Sequence, residues 1–342
     1  MFGKNLKIIL ASVLLVACGS GEESQSFLAT FEQIETVEIS EVMPELKSEL
    51  HNPSTFCFVD RFLILSEPNL DSLLLVYDFK NQKSKRLLLK GQGEDEALKI
   101  QNIAKGPNAC SCSLHDMMLQ KVFWLDLATF PEFVLSKDSL VNSTQAVCAL
   151  AYDGCLSFHE NVNKDKRFTM VTPDKKVEFG NDISVKRLSS SMSTKVLQGP
   201  CSLSASRKKF FWFSAFGDVM EIYDYSDTNH IELVKSLVCS VPNVSSNGVF
   251  GIKDKLGVAS VTSDNDYIYA LYIGKTLGES LHNKGNALYG DKILVFDWEG
   301  NSCRVLDLNR EVLAISYSSL QGKLYALGLD DEGNYSVYEV GL

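Results

Sequence analysis

The chain has 342 residues, a formal charge of −10 and 45% hydrophobic residues, enough to bury one large core or two ordinary ones. Its acidity, with no cluster of Lys and Arg interleaved with aromatics, disfavours a phosphate backbone as partner, so no nucleic-acid ligand is expected. Eight prolines and no low-complexity linker argue for one folded domain, not a string of small modules.

The first element runs from Lys4 to Glu23, "KNLKIILASVLLVACGSGEE". Lys4 and Lys7 precede an apolar run from Ile8 to Val16, and a small residue, Ala17, ends it. These are the three parts of a secretory signal. The run is less than half of the roughly 20 residues that a helix needs to span a bilayer. Leu15-Val16-Ala17-Cys18 resembles the bacterial lipobox, which implies cleavage before Cys18 and acylation of its sulfur. Several acyl chains anchor firmly, at about 0.8 kcal/mol per buried methylene. Gly19-Ser20-Gly21-Glu22-Glu23 resembles the acidic stretch with which Bacteroidetes lipoproteins reach the cell surface. The expected layout is a signal peptide over 1–17, a lipidated flexible tether over 18–30 and a folded domain over 31–342. The expected address is the outer membrane, on the cell surface or the periplasmic face. Loss of Lys4 and Lys7 with the leader takes the formal charge from −10 to about −12.

From Ser54 the pattern changes to short strand-like runs: Thr55–Val59, Phe62–Leu65, Leu73–Tyr77 and Lys85–Leu89. Runs rich in Val, Ile, Leu, Phe and Tyr between Asp, Asn, Pro and Gly read as strands of an antiparallel meander. The third run ends in Tyr77-Asp78, and that ending recurs at Asp126, Asp174, Asp224 and Asp297, at intervals of 48, 48, 50 and 73 residues. A period near 50 with four strands in each repeat is the signature of propeller blades. The long last interval contains "GKTLGESLHNKGNALYG", Gly274 to Gly290, which reads as an inserted loop. A final unit, "EVLAISY", "KLYALGL" and "YSVYEVG", has three strands. The fourth is expected from Glu35–Ser40 near the N-terminus, closing the ring and removing an exposed sheet edge. The prediction is all-β: a six-bladed β-propeller of four-stranded antiparallel blades, with seven blades as the alternative.

"VYDFKNQKSKRLLLKGQGEDE", "YIYALYIGK" and "KILVFDWEGNSCRVLDL" resemble the TolB-like six-bladed propeller lipoproteins of the Bacteroidetes type, over residues 30–342. The sequence departs from that pattern at Gly93-Glu94-Asp95-Glu96, where the family shows Gly-Pro-Gly-Glu. The resemblance implies a fold and an envelope location but no particular activity.

With Cys18 acylated, eight cysteines remain. Cys57, Cys110, Cys112, Cys148 and Cys201 fall on the expected first strands of blades one to four, where small apolar side chains suit the crowded axis. A two-residue turn at Asp153-Gly154 would set Cys148 opposite His159 and keep it from pairing with Cys155. Disulfides between blades stay open. The Cys148–His159 juxtaposition carries the shape of a nucleophile and base, against a plainer reading as a packed thiol. The five histidines are scattered singly, so no metal site is expected, and no cofactor motif appears. Gly91-Gln92-Gly93 reads as a turn, and Phe210-Phe211-Trp212-Phe213 as core packing or, alternatively, an exposed platform. The candidate ligand-binding residues are Glu279, His282, Asn283, Lys284 and Tyr289 of the inserted loop, since rigid scaffolds present function on loops. No catalytic constellation assembles. The expected function is therefore a membrane-anchored, non-catalytic binding or scaffolding module for a protein, peptide or glycan. The alternative, resting on fold analogy, is a glycan hydrolase or lyase with carboxylates in the propeller channel.

Overall fold

A computed structural model describes residues 26–137, 146–152, 156–161, 164–282 and 288–342. The signal segment, Cys18, Asn283 and Lys284 lie outside the described residues.

Two short strands come first, β1 (Ile34–Thr36) and β2 (Ile39–Val42). Blade one is β3 (Thr55–Val59), β4 (Phe62–Ser66), β5 (Ser72–Asp78) and β6 (Lys83–Leu89). Blade two is β7 (Ile100–Lys105), β8 (Ser111–Asp116), β9 (Lys121–Asp126) and β10 (Val134–Lys137). Blade three is β11 (Ala146–Tyr152), β12 (Leu156–Asn161), β13 (Phe168–Val171) and β14 (Lys176–Phe179). Blade four is β15 (Cys201–Ser204), β16 (Lys209–Phe213), β17 (Asp218–Asp224) and β18 (Glu232–Ser240). Blade five takes β19 (Val258–Ser263), β20 (Tyr267–Tyr272), β21 (Gly290–Asp297) and the first part of β22 (Ser302–Ser318). The rest of β22, with β23 (Lys323–Leu329), β24 (Tyr335–Val340) and β2, makes blade six.

The innermost strands contact one another in the order β3, β7, β11, β15, β19, β22 and back to β3, which closes a ring of six blades and removes the seven-bladed alternative. β2 closes it, antiparallel to β24, with Ile39 opposite Val340 and Val42 opposite Val337. The closing strand is thus shifted from the expected Glu35–Ser40. The earlier part of that stretch does separate work: β1 runs parallel to the outer part of β22, with Ile34 opposite Val305. Blades five and six stay joined because β22 crosses from one to the other, and Asn309 at φ 53° lies where its pairing with β21 shifts register, between Asp307 and Val312.

Sequence character follows position in the blade. β4 and β5 are buried almost throughout because neighbouring blades cover both their faces, whereas the outer strand β6 begins Lys-Ser-Lys-Arg and is largely accessible. The recurrent Asp is a turn former. Oδ1 of Asp78, Asp126, Asp224 and Asp297 accepts the amide two residues on, at Lys80, Ala128, Ser226 and Glu299.

Blade two differs from expectation. Its first strand is Ile100–Lys105; Cys112 sits on the second strand and Cys110 precedes it. "IQNIAK" lines a partly polar axis, so it has little of the apolar run that marks a strand in sequence. In blade three Tyr152 pairs with Leu156, so Ala149, not Cys148, stands opposite His159. A slip of one residue turns each side chain to the other face.

The core lies between blades. Phe210 and Trp212 pack into the seam between blades three and four, and Phe211 and Phe213 into that between four and five, so the four-aromatic run is core, not an exposed platform. The seam between blades two and three is thinner, built on Val122, Ala146, Ala149 and Ala151 beside the buried polar Ser113, His115, Ser157 and His159. Residues 27–30, expected to belong to a flexible tether, are part of the folded unit. They form a 3-10 turn and Phe27 is fully buried against Phe213, Tyr272 and Phe296.

Candidate functional site

An even number of antiparallel strands returns the chain to the same face after each blade, so all six first strands begin at one end of the axis. They enclose a cavity of about 480 Å³. At the end where these strands begin, Phe216 and Phe250 stack with ring centroids 3.7 Å apart, and Lys195 of α1 (Ser190–Val196) stands beside them. Leu288, from the inserted loop, reaches the same wall. At the far end lies Lys105, the last residue of β7.

Part of the polar lining holds the blades together. Ser260 Oγ accepts from Ile315 N at 3.2 Å, Thr262 Oγ1 from Tyr317 N at 3.1 Å and Ser316 Oγ from Phe58 N at 3.0 Å. Each hydroxyl satisfies an edge amide that no neighbouring strand of its own sheet can reach. Lys105 does something different. Its Nζ donates to Tyr317 O at 2.8 Å, and among the described residues no carboxylate lies within ion-pair distance. Burial pushes its pKa below the usual lysine value, against the neighbouring Cys57. The charged residues lining the cavity are Lys105 and Lys195, and among the described residues no Asp or Glu lines it.

Among the described residues three thiols face this space: Cys57, Cys148 and Cys201. Burial holds the Cys57 thiol above its ordinary pKa, and contact with Cys148, then burial, raises that of Cys201. Protonated thiols are poor nucleophiles. The nucleophile–base juxtaposition does not form, since His159 Nε2 sits 2.6 Å from Ser157 Oγ in the seam between blades two and three. The glycan-cleaving alternative meets a physical obstacle as well. Most glycosidases place two carboxylates about 5–9.5 Å apart across the bond, and the described lining supplies none.

The inserted loop contains α2 (Leu277–His282), which docks on the connection between blades four and five through Leu277 N to Asp254 O and Gly278 N to Ile252 O. Glu279 Oε2 accepts from Thr276 N and Thr276 Oγ1, each at 2.8 Å, and Thr276 Oγ1 accepts from Glu279 N, a reciprocal cap. Those bonds depress its pKa. His282 Nδ1 lies 2.6 Å from Gly278 O, and both residues border a shallow depression with Ile252 and Lys253, outside the axial cavity. Tyr289 is buried, and burial raises its phenol pKa with Tyr335 adjacent. The insertion therefore reaches the cavity through Leu288, while Glu279 and His282 share the rim of the shallow depression and Tyr289 lies apart from both. Lys105 escaped the sequence reading because the strand that carries it did.

A family described as TolB-like 6-blade propeller-like matches residues 50–319. No protein of curated function matches the chain in sequence. Among solved structures, a putative exported protein from Bacteroides fragilis NCTC 9343 is similar at 14% identity and a TM-score of 0.55, over 91% of this chain and 98% of that one. A luciferin-regenerating enzyme is similar at 11% identity and a TM-score of 0.50, over 90% of this chain and 96% of that one. At such identities the likeness is one of fold.

Proposed function

The chain belongs to the TolB-like 6-blade propeller-like family, and from that premise we propose that it is an exported, membrane-anchored binding module whose axial cavity takes a partly apolar ligand bearing an anionic group. The observation that carries this reading is Lys105, a half-buried amine with no carboxylate partner among the described residues, at one end of a cavity whose other charged lining residue, Lys195, is also a cation. Burying a cation without a counter-charge is unfavourable, and an incoming carboxylate or phosphate supplies one. A volume of about 480 Å³ lies in the range of small-ligand pockets and would admit the end of a peptide or a glycan. The raised thiols, and a lining that holds no carboxylate among the described residues, favour binding over turnover.

The N-terminal residues support the address. Lys4, Lys7, the apolar Ile8–Val16 and Cys18 are the parts of a lipoprotein signal, and no helix among the described residues is long and apolar enough to cross a membrane. Ser26 stands eight positions after Cys18, and its Oγ lies 2.9 Å from Tyr272 OH. An acylated Cys18 would hold Ser26 within about 28 Å of the bilayer.

Two measurements test the proposal. Intact-mass analysis should find acyl chains on a mature N-terminal Cys18, and Cys18→Ser should release the protein from the membrane fraction; an unmodified wild type in the soluble fraction refutes the anchor. A thermal-shift panel of carboxylates, phosphates, neutral sugars and cations should stabilise the full chain only with anions. Stabilisation by neutral sugars alone, or turnover of any of them, refutes the binding reading.

A further inference from the structure

Cys148 lies near the start of β11 and Cys201 opens β15, so the first strands of blades three and four each bring a thiol to their junction. The residues are 53 positions apart in sequence, and their Sγ atoms stand 2.9 Å apart. Both belong to one core cluster with Phe158, Phe210 and Trp212, at 3% and 6% exposure, and both line the axial cavity. Two cysteines therefore meet across a blade boundary, at a place reached from solvent through the cavity.

We propose that Cys148 and Cys201 are a redox couple, closing a disulfide that staples blade three to blade four through the cavity wall in an oxidising compartment. Two S–H bonds break and one S–S bond forms. The two electrons pass to the disulfide of the oxidant, a protein or small-molecule disulfide, and with the two protons they yield its two thiols. The exported address makes such an oxidant available. Closure also replaces two thiol donors in the wall with a group that donates none, so the cavity presents a different surface in each state. Their low exposure slows the exchange in the folded protein, so the bond is expected to form during folding and to resist mild reductants afterwards.

The test uses the full chain folded with oxidised glutathione, alkylated before unfolding and digested without reductant. The expected product is a peptide pair joining Cys148 to Cys201, two hydrogens lighter than the separate thiol peptides and lost on reduction. Reduction under unfolding conditions followed by refolding without oxidant should lower Tm by about 5 °C, and Cys148→Ser should make Tm independent of that treatment. Because a buried substitution can prevent folding, Cys201→Ala serves as a second variant, and the peptide result on wild type needs neither. Recovery of Cys148 and Cys201 as alkylated thiols after oxidative folding, linkage of either to another cysteine, or a Tm indifferent to reduction would each overturn the proposal.

Discussion

The backbone amide of Phe27 donates to Asp218 Oδ2 over 3.2 Å, so the segment entering the ring is bound where the third strand of blade four begins. The same carboxylate accepts from Lys255 Nζ at 2.9 Å and from Tyr272 OH at 3.0 Å to its other oxygen. Phe27→Ala removes a fully buried ring from between Phe213 and Phe296 and should destabilise the protein by about 3–5 kcal/mol. Urea denaturation measures it, and a shift in midpoint near zero would mean that residues 26–31 are not part of the folded unit.

The seam between blades two and three should make stability depend on pH. His115 and His159 are both held neutral by burial, their pKa lowered to about 4 from 6.5. Between those values the unfolded chain binds the protons that the folded chain refuses. This contribution is complete above pH 6.5 and is lost as pH falls to 4, at about 3 kcal/mol for each histidine. Glu160, raised to about 8 by burial, has the opposite slope between pH 4.5 and 8. The comparison of wild type with His115→Phe isolates the histidine. The variant should lose about 3 kcal/mol less than wild type between pH 7 and pH 4; equal losses would contradict the assignment.

Arg167 and Glu221 form an ion pair of 2.6 Å, at 2% and 0% side-chain exposure, with Tyr223 OH donating to the same oxygen at 2.8 Å and Trp212 beneath the guanidinium at 4.2 Å. Removal of one partner strands a charge in the core. Arg167→Met should destabilise by about 3–5 kcal/mol, while Arg167→Met combined with Glu221→Leu should return most of that loss. A double variant no more stable than the single one would show that the pair sustains the seam in some other way.

Much of the fold was legible because it repeats. Aspartates that close a turn with the amide two residues on recur at Asp78, Asp126, Asp224 and Asp297 in plain sight, while Asp174, at the same interval in blade three, follows a strand that ends at Val171. Asp116 and Asp330 make the same turn elsewhere in their blades, accepting from Met118 N and Glu332 N, and fall outside the period. Strands that line a cavity are harder to read, since β7 answers to a polar space on one side and to β8 on the other. Register was beyond reach where a turn differs by one residue, as between Tyr152 and Leu156. The inserted loop could be located but not the residue it sends inward, because Leu288 looks like any other apolar residue until the ring encloses it.

Lys105 carries the binding account, and linkage gives it a second signature. An anion bound beside an amine whose pKa burial lowers favours the charged form, so binding should weaken as pH rises through the amine's pKa.

The most direct measurement is calorimetric titration of an anion found in the thermal-shift panel into full-length wild type, Lys105→Met and Leu203→Trp, the last filling the cavity from β15. The account predicts saturable one-to-one binding in wild type, and at least a tenfold loss of affinity in both variants. Equal affinity in all three proteins would place the ligand outside the axial cavity and contradict the account.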